Sequence, residues 1–331
     1  MKTEGSKREK DRATAEKYEG EKQASQKRIL LEKYKLGHSS VEDILNGIKP
    51  PANPNIHIFT EEDVANEPDD PRKRVFPHAL IIGARKAGTS ALQDFLTLHP
   101  DIMAPSSEPA WFFTDSKYSR GLGYYRTLLP SVKDGQISIE KSAEYFHSPQ
   151  VPERVRSFNS SMKLLLIVRD PYVRMVSDYM FMKRYPYASK CIEKKFTFEE
   201  IAYDETTGQV NTVYGGLKRS IYYIWFKEWL RFFPRKQILV VDGDEFAKKN
   251  PGIELTVVEK FLGVQPVLTE EQFFFNETKK FYCAKATGCL KVDKGHEPII
   301  VPAHVQKAIH DYLSPLNQKF YDLVGRDFGW Q

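Results

Sequence analysis

The sequence predicts an α/β fold in which helices flank a central parallel sheet. Three short apolar runs lie at 79–83, 164–168 and 238–241, and each has the length and composition of a strand buried on both faces. A helical pattern follows each run, and strand–loop–helix units in series build parallel sheets. The folded body is therefore expected from about residue 75 onward.

The first unit joins the run at 79–83 to a helix at 90–96, whose apolar residues share one face. The second unit continues from the run at 164–168 into a helix that begins after Asp170. Asp170 can cap that helix, and Pro171 suits its first position. The third unit places a helix at 257–262 behind the run at 238–241.

The residues before this body are predicted to form two segments. Residues 1–48 read as a charged arm, mobile or helical, because eleven of the first 35 residues are Lys or Arg and seven are Asp or Glu. Residues 49–74 read as a Pro-rich linker, since proline and asparagine disfavour both helix and strand. A single domain is predicted over 75–331.

Composition excludes several classes of protein. The chain of 331 residues is 41% hydrophobic and 28% charged, which excludes collagen, wholesale disorder and a membrane bundle. No run approaches the roughly 18 apolar residues of a membrane helix, and the charged N-terminus is unlike a secretory signal. The net charge is +5, of which the first 35 residues hold +4. The near-neutral body therefore indicates no nucleic-acid partner.

Three cysteines are too few for a disulfide framework, and no Cys or His set has the spacing of a metal site. Cys283 and Cys289 are close enough for one bridge, and composition alone leaves a bridge and two reduced thiols equally open. Cys191 is unassigned. The sequons at Asn159 and Asn276 would suit a secretory lumen.

The loop after the first strand is the first candidate site, because ligands bind at the carboxyl ends of parallel strands. Residues 83–90, Gly-Ala-Arg-Lys-Ala-Gly-Thr-Ser, combine small residues, a lysine, two hydroxyls and a helix start, which suits an anion. In the phosphate loop of ATPases the lysine follows the second glycine. Here Lys86 precedes Gly88, so this loop is a different motif.

The end of the second strand is the other candidate site. Arg169 ends that strand, and Arg174 and Ser177 follow on the next helix. An arginine fork and a hydroxyl that converge on one phosphate would make a second anion site. A salt bridge from Arg169 to a carboxylate is an equally good interpretation of Arg169 alone. Two anion sites on adjacent strand ends suggest a nucleotide with phosphates at both ends.

These two segments resemble the sulfotransferase superfamily, which uses 3′-phosphoadenosine 5′-phosphosulfate (PAPS). Further segments resemble heparan sulfate glucosamine 3-O-sulfotransferases in particular, and the match runs from about residue 75 to the C-terminus. These segments are Phe76–Gly83, His99–Asp101, Gly121–Tyr125, Ile139–Phe146, Trp229–Pro234, Val240–Asp244, Phe274–Cys283 and Gly325–Trp330. The resemblance implies one sulfotransferase domain with a central parallel sheet, similar to P-loop nucleotide kinases.

The resemblance also implies site residues. Glu108 would be the base that deprotonates the sugar hydroxyl, and Lys86 would neutralise the leaving phosphate. Glu108, Lys141 and Ser142 would face the acceptor, and Cys283 and Cys289 would form a disulfide. Cofactor contacts are implied for Arg85, Lys86, Ala87, Gly88, Thr89, Ser90, Arg169, Ser177, Tyr282, Lys294, Gly295 and His296. No metal is implied.

Three positions depart from the family pattern. Ser90 stands where the family usually has arginine, Ala110 where it has histidine, and His296 where it has arginine. The first two changes remove side chains that would face the acceptor, and the third weakens one contact to the cofactor.

The function expected is sulfuryl transfer from PAPS to a glucosamine hydroxyl of heparan sulfate, in the Golgi lumen by resemblance. The alternatives are a PAPS-dependent enzyme with a different glycan or small acceptor, and a homologue that binds a glycan or nucleotide without turnover. Basic side chains expected to contact an anionic polysaccharide are Lys141, Lys163, Lys218, Arg219, Lys279 and Lys280.

Overall fold

The structure, a computed structural model, describes residue 17 and residues 21–35, 37–47, 53–185, 191–289 and 299–330. Its central sheet has five strands in the order β2–β3–β1–β4–β7, and all neighbours are parallel. These strands are β1 Ala79–Gly83, β2 Ile102–Met103, β3 Ile137–Lys141, β4 Lys163–Val168 and β7 Ile238–Asp242. The predicted α/β fold with a parallel sheet is confirmed, and the three predicted strands lie side by side.

Two antiparallel ribbons stand apart from this sheet. The first pairs β5 (Tyr203–Asp204) with β6 (Gln209–Val210), and the second pairs β8 (Phe273–Asn276) with β9 (Phe281–Ala284). The second ribbon packs against the layer beside β1, where the Phe273 and Phe95 rings lie 5.0 Å apart. This contact anchors the β8–β9 hairpin next to the helix that follows β1.

Helices cover both faces of the sheet. In chain order they are α1 21–35, α2 Val41–Leu45, α3 Glu61–Ala65, α4 Thr89–Leu96, α5 Asp115–Tyr118, α6 Gly121–Thr127, α7 Val151–Phe158, α8 Pro171–Arg184, α9 Phe198–Ala202, α10 Gly215–Ser220, α11 Tyr222–Phe232, α12 Gly243–Lys248, α13 Gly252–Leu262 and α14 Ala303–Val324. Short 3₁₀ turns lie at Ile192–Lys194, Arg235–Gln237 and Glu270–Gln272. As predicted, the Asp170 side chain caps α8 by accepting the Val173 N–H.

The core consists of two apolar clusters. The larger one surrounds the sheet, whose central strands β1 and β4 are buried on both faces. The smaller one lies between α8, α9, α10 and α14. Apolar burial of this kind is the main favourable contribution to folding.

The described parts of the two N-terminal segments pack on the domain. Val41 of α2 is fully buried in the smaller cluster, and the Tyr34 hydroxyl accepts the Gly215 N–H at 3.2 Å. Ile56 and Phe59 pack against the larger cluster, although their segment was expected to be a linker. Prolines at 50, 51, 54, 68 and 71 account for the linker prediction, although a short apolar stretch at 56–59 lies between them.

Candidate active site

The loop between β1 and α4 lies at the carboxyl ends of the parallel strands, where ligands bind in sheets of this kind. Gly88 precedes α4 with φ +113°, and a Cβ there would lie 3.2 Å from Ile167 Cδ1. Because Gly88 has no side chain to cap the helix, the first N–H groups of α4 are left to a ligand. This geometry suits an anionic group.

A second glycine lets α12 start against this loop. A Cβ on Gly243 would lie 2.5 Å from the Ala87 carbonyl oxygen and 2.7 Å from that of Val168. Any larger residue would push the loop and the end of β4 apart. Gly243 therefore fixes the spacing between the two predicted anion sites, which the sequence alone does not reveal.

Lys86 lies in the loop with φ +70°, and its ammonium group sits 4.7 Å from the centre of the Phe181 ring on α8. Thr89 is buried, whereas Ser90 is half-buried in the first turn of α4. The predicted loop residues therefore lie together between β1 and α8.

Arg85 belongs to a buried ionic cluster beneath the loop. Its guanidinium group contacts Glu144 and Asp178, each at 2.5 Å, and is largely buried. Asp178 also contacts Arg219 at 2.9 Å and Arg174 at 3.3 Å. Burial opposes the charge on Asp178, but the three guanidinium groups hold the pKa of its carboxyl well below the usual value.

Arg174 ties this cluster to the backbone. Its guanidinium group is fully buried and donates to the carbonyl oxygens of Arg85 and Gly216 and to the Ser220 hydroxyl. The loop, α8 and α10 are thereby joined through one side chain. The Arg85 side chain is accordingly a structural group here, and its contribution to a ligand would come from its backbone.

Glu108 is the accessible carboxylate of the site. It lies in the segment between β2 and α5, and its side chain is 39% exposed. Lys141, the last residue of β3, donates to it at 2.5 Å, and the Ala143 N–H donates at 3.2 Å. The Lys141 ammonium group also lies 3.4 Å from the Ser90 hydroxyl. Glu108, Lys141 and Ser90 are therefore brought together, although 51 residues separate the last two.

Beneath Glu108, a buried carboxylate holds the end of β3. Glu140 accepts hydrogen bonds from Tyr125, Tyr145 and Ser142, and burial raises its pKa above the usual value. Ser142 in turn accepts the Ala110 N–H at 2.9 Å. Ser142 was expected to face the acceptor, but it is fully buried and instead supports the segment that carries Glu108.

The second predicted anion site lies at the end of β4, next to the first loop because β4 pairs with β1. The Arg169 side chain is 30% exposed, and its Nε lies 3.6 Å from Asp244 Oδ1. Ser177 lies in the second turn of α8 and is half-buried. Arg169 thus faces a carboxylate, as one interpretation expects, and its role in an anion site stays a prediction.

The β8–β9 hairpin carries the last predicted residues. Cys283 and Cys289 form the disulfide bond, and the half-buried Tyr282 ring packs against Phe275 at 5.3 Å. The predicted contacts Lys294, Gly295 and His296 lie outside the described residues.

Three of the basic residues expected along the acceptor cleft have partners that are distant in sequence. Lys163 is the first residue of β4, at the end of the strand away from the candidate site, and it donates to the Leu262 carbonyl oxygen at 2.7 Å. Lys218 donates to the Ser39 carbonyl oxygen at 2.8 Å, and Arg219 pairs with Asp178. These contacts depend on tertiary structure and leave no trace in the sequence. Lys280 is exposed and pairs with Glu277.

Among the residues that the structure describes, no group of His, Cys, Asp and Glu side chains could hold a metal ion. Within the same residues, no helix is both long and apolar enough to cross a membrane.

Comparisons with known proteins give one consistent result. The model of the family described as Sulfotransferase domain matches residues 76–324. Heparan sulfate glucosamine 3-O-sulfotransferase 5 is 36% identical over 316 residues in both Mus musculus and Homo sapiens, covering 92% of this chain and 82% of each relative. Heparan sulfate glucosamine 3-O-sulfotransferase 6 of Homo sapiens is 38% identical over 267 residues, covering 78% of this chain and 75% of the relative.

A solved structure agrees at the level of fold. A sulfotransferase from Alicyclobacillus acidocaldarius superposes with a TM-score of 0.57 and 21% identity, over 77% of this chain and 98% of that chain.

Proposed function

The chain belongs to the sulfotransferase family and, within it, to the heparan sulfate glucosamine 3-O-sulfotransferases, and from this membership we propose that it transfers a sulfuryl group from PAPS to a glucosamine hydroxyl of heparan sulfate. The observation that carries the proposal is the Glu108 carboxylate, held by Lys141 and the Ala143 N–H next to Ser90 of the loop. A base on one side of a site and an anion loop on the other suit in-line transfer.

The residues of the nucleotide side fit a phosphosulfate. Its 5′ end would be held by Gly88, whose backbone has a positive φ, by the first N–H groups of α4 and by the Lys86 ammonium group. Arg169 and Ser177 would hold the 3′-phosphate, and Tyr282 would lie over the nucleotide. When bound, PAPS supplies an activated sulfuryl group.

On the acceptor side, the Glu108 carboxylate takes the proton of the sugar hydroxyl as that oxygen bonds to sulfur. Lys141 fixes the direction of the carboxylate through its 2.5 Å contact. Lys86 neutralises the charge that develops on the departing phosphate oxygen. The chemistry assigned to these residues requires no metal ligand from the chain.

The disulfide supports an oxidising compartment, and we place the enzyme in the Golgi lumen, as the resemblance to the family implies. A second candidate is the same transfer to a different acceptor. The small side chains of Ser90 and Ala110 favour it, because they leave the acceptor side with fewer cationic groups.

The test is transfer of labelled sulfate from PAPS to heparan sulfate, with chondroitin and a small phenol as alternative acceptors. Glu108→Gln should lower kcat by about 10²- to 10⁴-fold, because a general base contributes that much, and should leave the affinity for 3′-phosphoadenosine 5′-phosphate (PAP) unchanged. Glu62→Gln, an exposed carboxylate of α3, is the control.

Label in chondroitin or phenol alone would favour the second candidate. Full activity of Glu108→Gln would remove Glu108 from the mechanism. PAP binding without transfer to any acceptor would favour a binding protein.

A further inference from the structure

The hydroxyl of Tyr222 meets the backbone of Arg169 at the end of β4. It donates to the Arg169 carbonyl oxygen at 2.9 Å and accepts from the Arg169 N–H at 3.5 Å. Tyr222 is the first residue of α11 and lies 53 residues further along the chain. One side chain thus engages both polar backbone atoms of a residue whose side chain faces the site.

The Tyr222 ring is held from several directions. It is nearly fully buried, and its centre lies 5.5 Å from the Phe320 ring of α14 and 5.5 Å from the Trp330 ring near the C-terminus. Phe146 completes the packing at 6.1 Å. Burial raises the pKa of Tyr222, so the hydroxyl stays protonated and can donate. A side chain fixed in this way is a rigid support.

The next residue is fixed from the other side. The Asp170 N–H donates to Asp244 Oδ2 at 2.6 Å, while Asp244 Oδ1 lies 3.6 Å from Arg169 Nε. The backbone that carries Arg169 is therefore held on both sides, by Tyr222 and by Asp244. The guanidinium group extends from a fixed origin, which lowers the cost of ordering it on a phosphate.

We propose that Tyr222 is a positioning residue that sets the direction of Arg169 and thereby the affinity for the 3′-phosphate of the nucleotide. The proposal rests on the function proposed above, in that Arg169 is taken as the ligand of this phosphate.

The test compares two nucleotides that differ in the 3′-phosphate. Tyr222→Phe keeps the ring and removes only the hydroxyl. By titration calorimetry it should weaken PAP binding about threefold to tenfold, the effect of one or two ordinary hydrogen bonds, and leave adenosine 5′-phosphate binding unchanged. The KM for PAPS should rise by the same factor, with kcat at saturating PAPS unchanged.

Tyr118→Phe is the matched control, because Tyr118 is also fully buried and its hydroxyl also accepts a backbone hydrogen bond, from the Phe59 N–H. It should leave both nucleotides unaffected. In an Arg169→Ala background, Tyr222→Phe should have no further effect on PAP binding, because the two residues act through one contact.

Equal weakening of both nucleotides, or an additive effect in the Arg169→Ala background, would overturn the proposal. A wild-type protein that does not bind PAP would overturn it as well. A wild-type protein that binds PAP but transfers no sulfate would refute the proposed function alone, since the comparison of the nucleotides needs only binding.

Discussion

Replacing Asp178 by asparagine tests the buried ionic cluster beneath the β1–α4 loop. The carboxylate is fully buried and contacts Arg85, Arg174 and Arg219 at 2.5–3.3 Å. Asparagine has nearly the same shape, so the change removes a charge without leaving a cavity. Of the three guanidinium groups, Arg85 would then keep its ion pair with Glu144.

The size of the effect follows from what each guanidinium group keeps. Arg85 keeps Glu144, and Arg174 keeps two carbonyl oxygens and the Ser220 hydroxyl, but Arg219 loses its carboxylate partner. Breaking a buried ion pair costs about 3–5 kcal/mol. The asparagine oxygen still accepts one hydrogen bond, so we expect a loss of about 3 kcal/mol in the free energy of unfolding.

Urea unfolding of wild type and Asp178→Asn at pH 7 measures this loss by linear extrapolation. The pH dependence gives a second readout, because the folded-state pKa of Asp178 lies below its unfolded value. A group of this kind contributes stability above the unfolded pKa, near 4, and loses it as the pH falls further. The difference between the two proteins should therefore shrink below about pH 4.

The double variant Asp178→Asn/Arg219→Met tests whether the loss of stability comes from the charge of Arg219. It removes the cation that asparagine leaves without a carboxylate, so it should be more stable than Asp178→Asn alone. A loss below about 1 kcal/mol for Asp178→Asn, or no recovery in the double variant, would refute the view that this cluster is held by charge.

Two further predictions concern the hairpin and the end of β3. The double change Cys283→Ser and Cys289→Ser opens a loop with a sequence separation of 6 and should lower the free energy of unfolding in urea by about 2 kcal/mol. Cys191→Ser is the control, and an equal loss in this control would contradict the prediction. Burial raises the folded pKa of Glu140, so its stabilising contribution is present below the unfolded pKa, near 4.5, and is lost as the pH rises. The stability of Glu140→Gln relative to wild type should therefore increase between pH 4 and pH 7, and a constant difference would contradict this.

The parts of the fold that the sequence predicts are those with local signals. The runs that became β1, β4 and β7 are continuous and apolar, because both faces of a parallel strand are buried. The cap at Asp170 and the glycine at 88 are likewise local, since one residue determines each geometry. Such signals also locate the candidate site, because they mark where strands end.

The packing around the site has no comparable signal. Asp178 reads as an ordinary polar residue of an amphipathic helix, and Tyr222 as one aromatic residue among many. Their importance comes from Arg85 and Arg169, which lie 93 and 53 residues away in sequence. Ser142 was assigned to the acceptor for a related reason, because a motif gives the position of a side chain along the chain and not its burial.

The two sides of the site are supported by networks that share no residue. Asp178 and its arginines hold the loop proposed to bind the nucleotide, whereas Glu140 and its hydroxyl donors hold the segment of Glu108. The networks are connected through backbone, in the pairing of β1 with β3 and at Glu144 and Tyr145, which are neighbours in sequence but belong to different networks. Changes to one network should therefore alter one half of the reaction, nucleotide affinity or deprotonation of the acceptor, and the sheet keeps the distance between the halves.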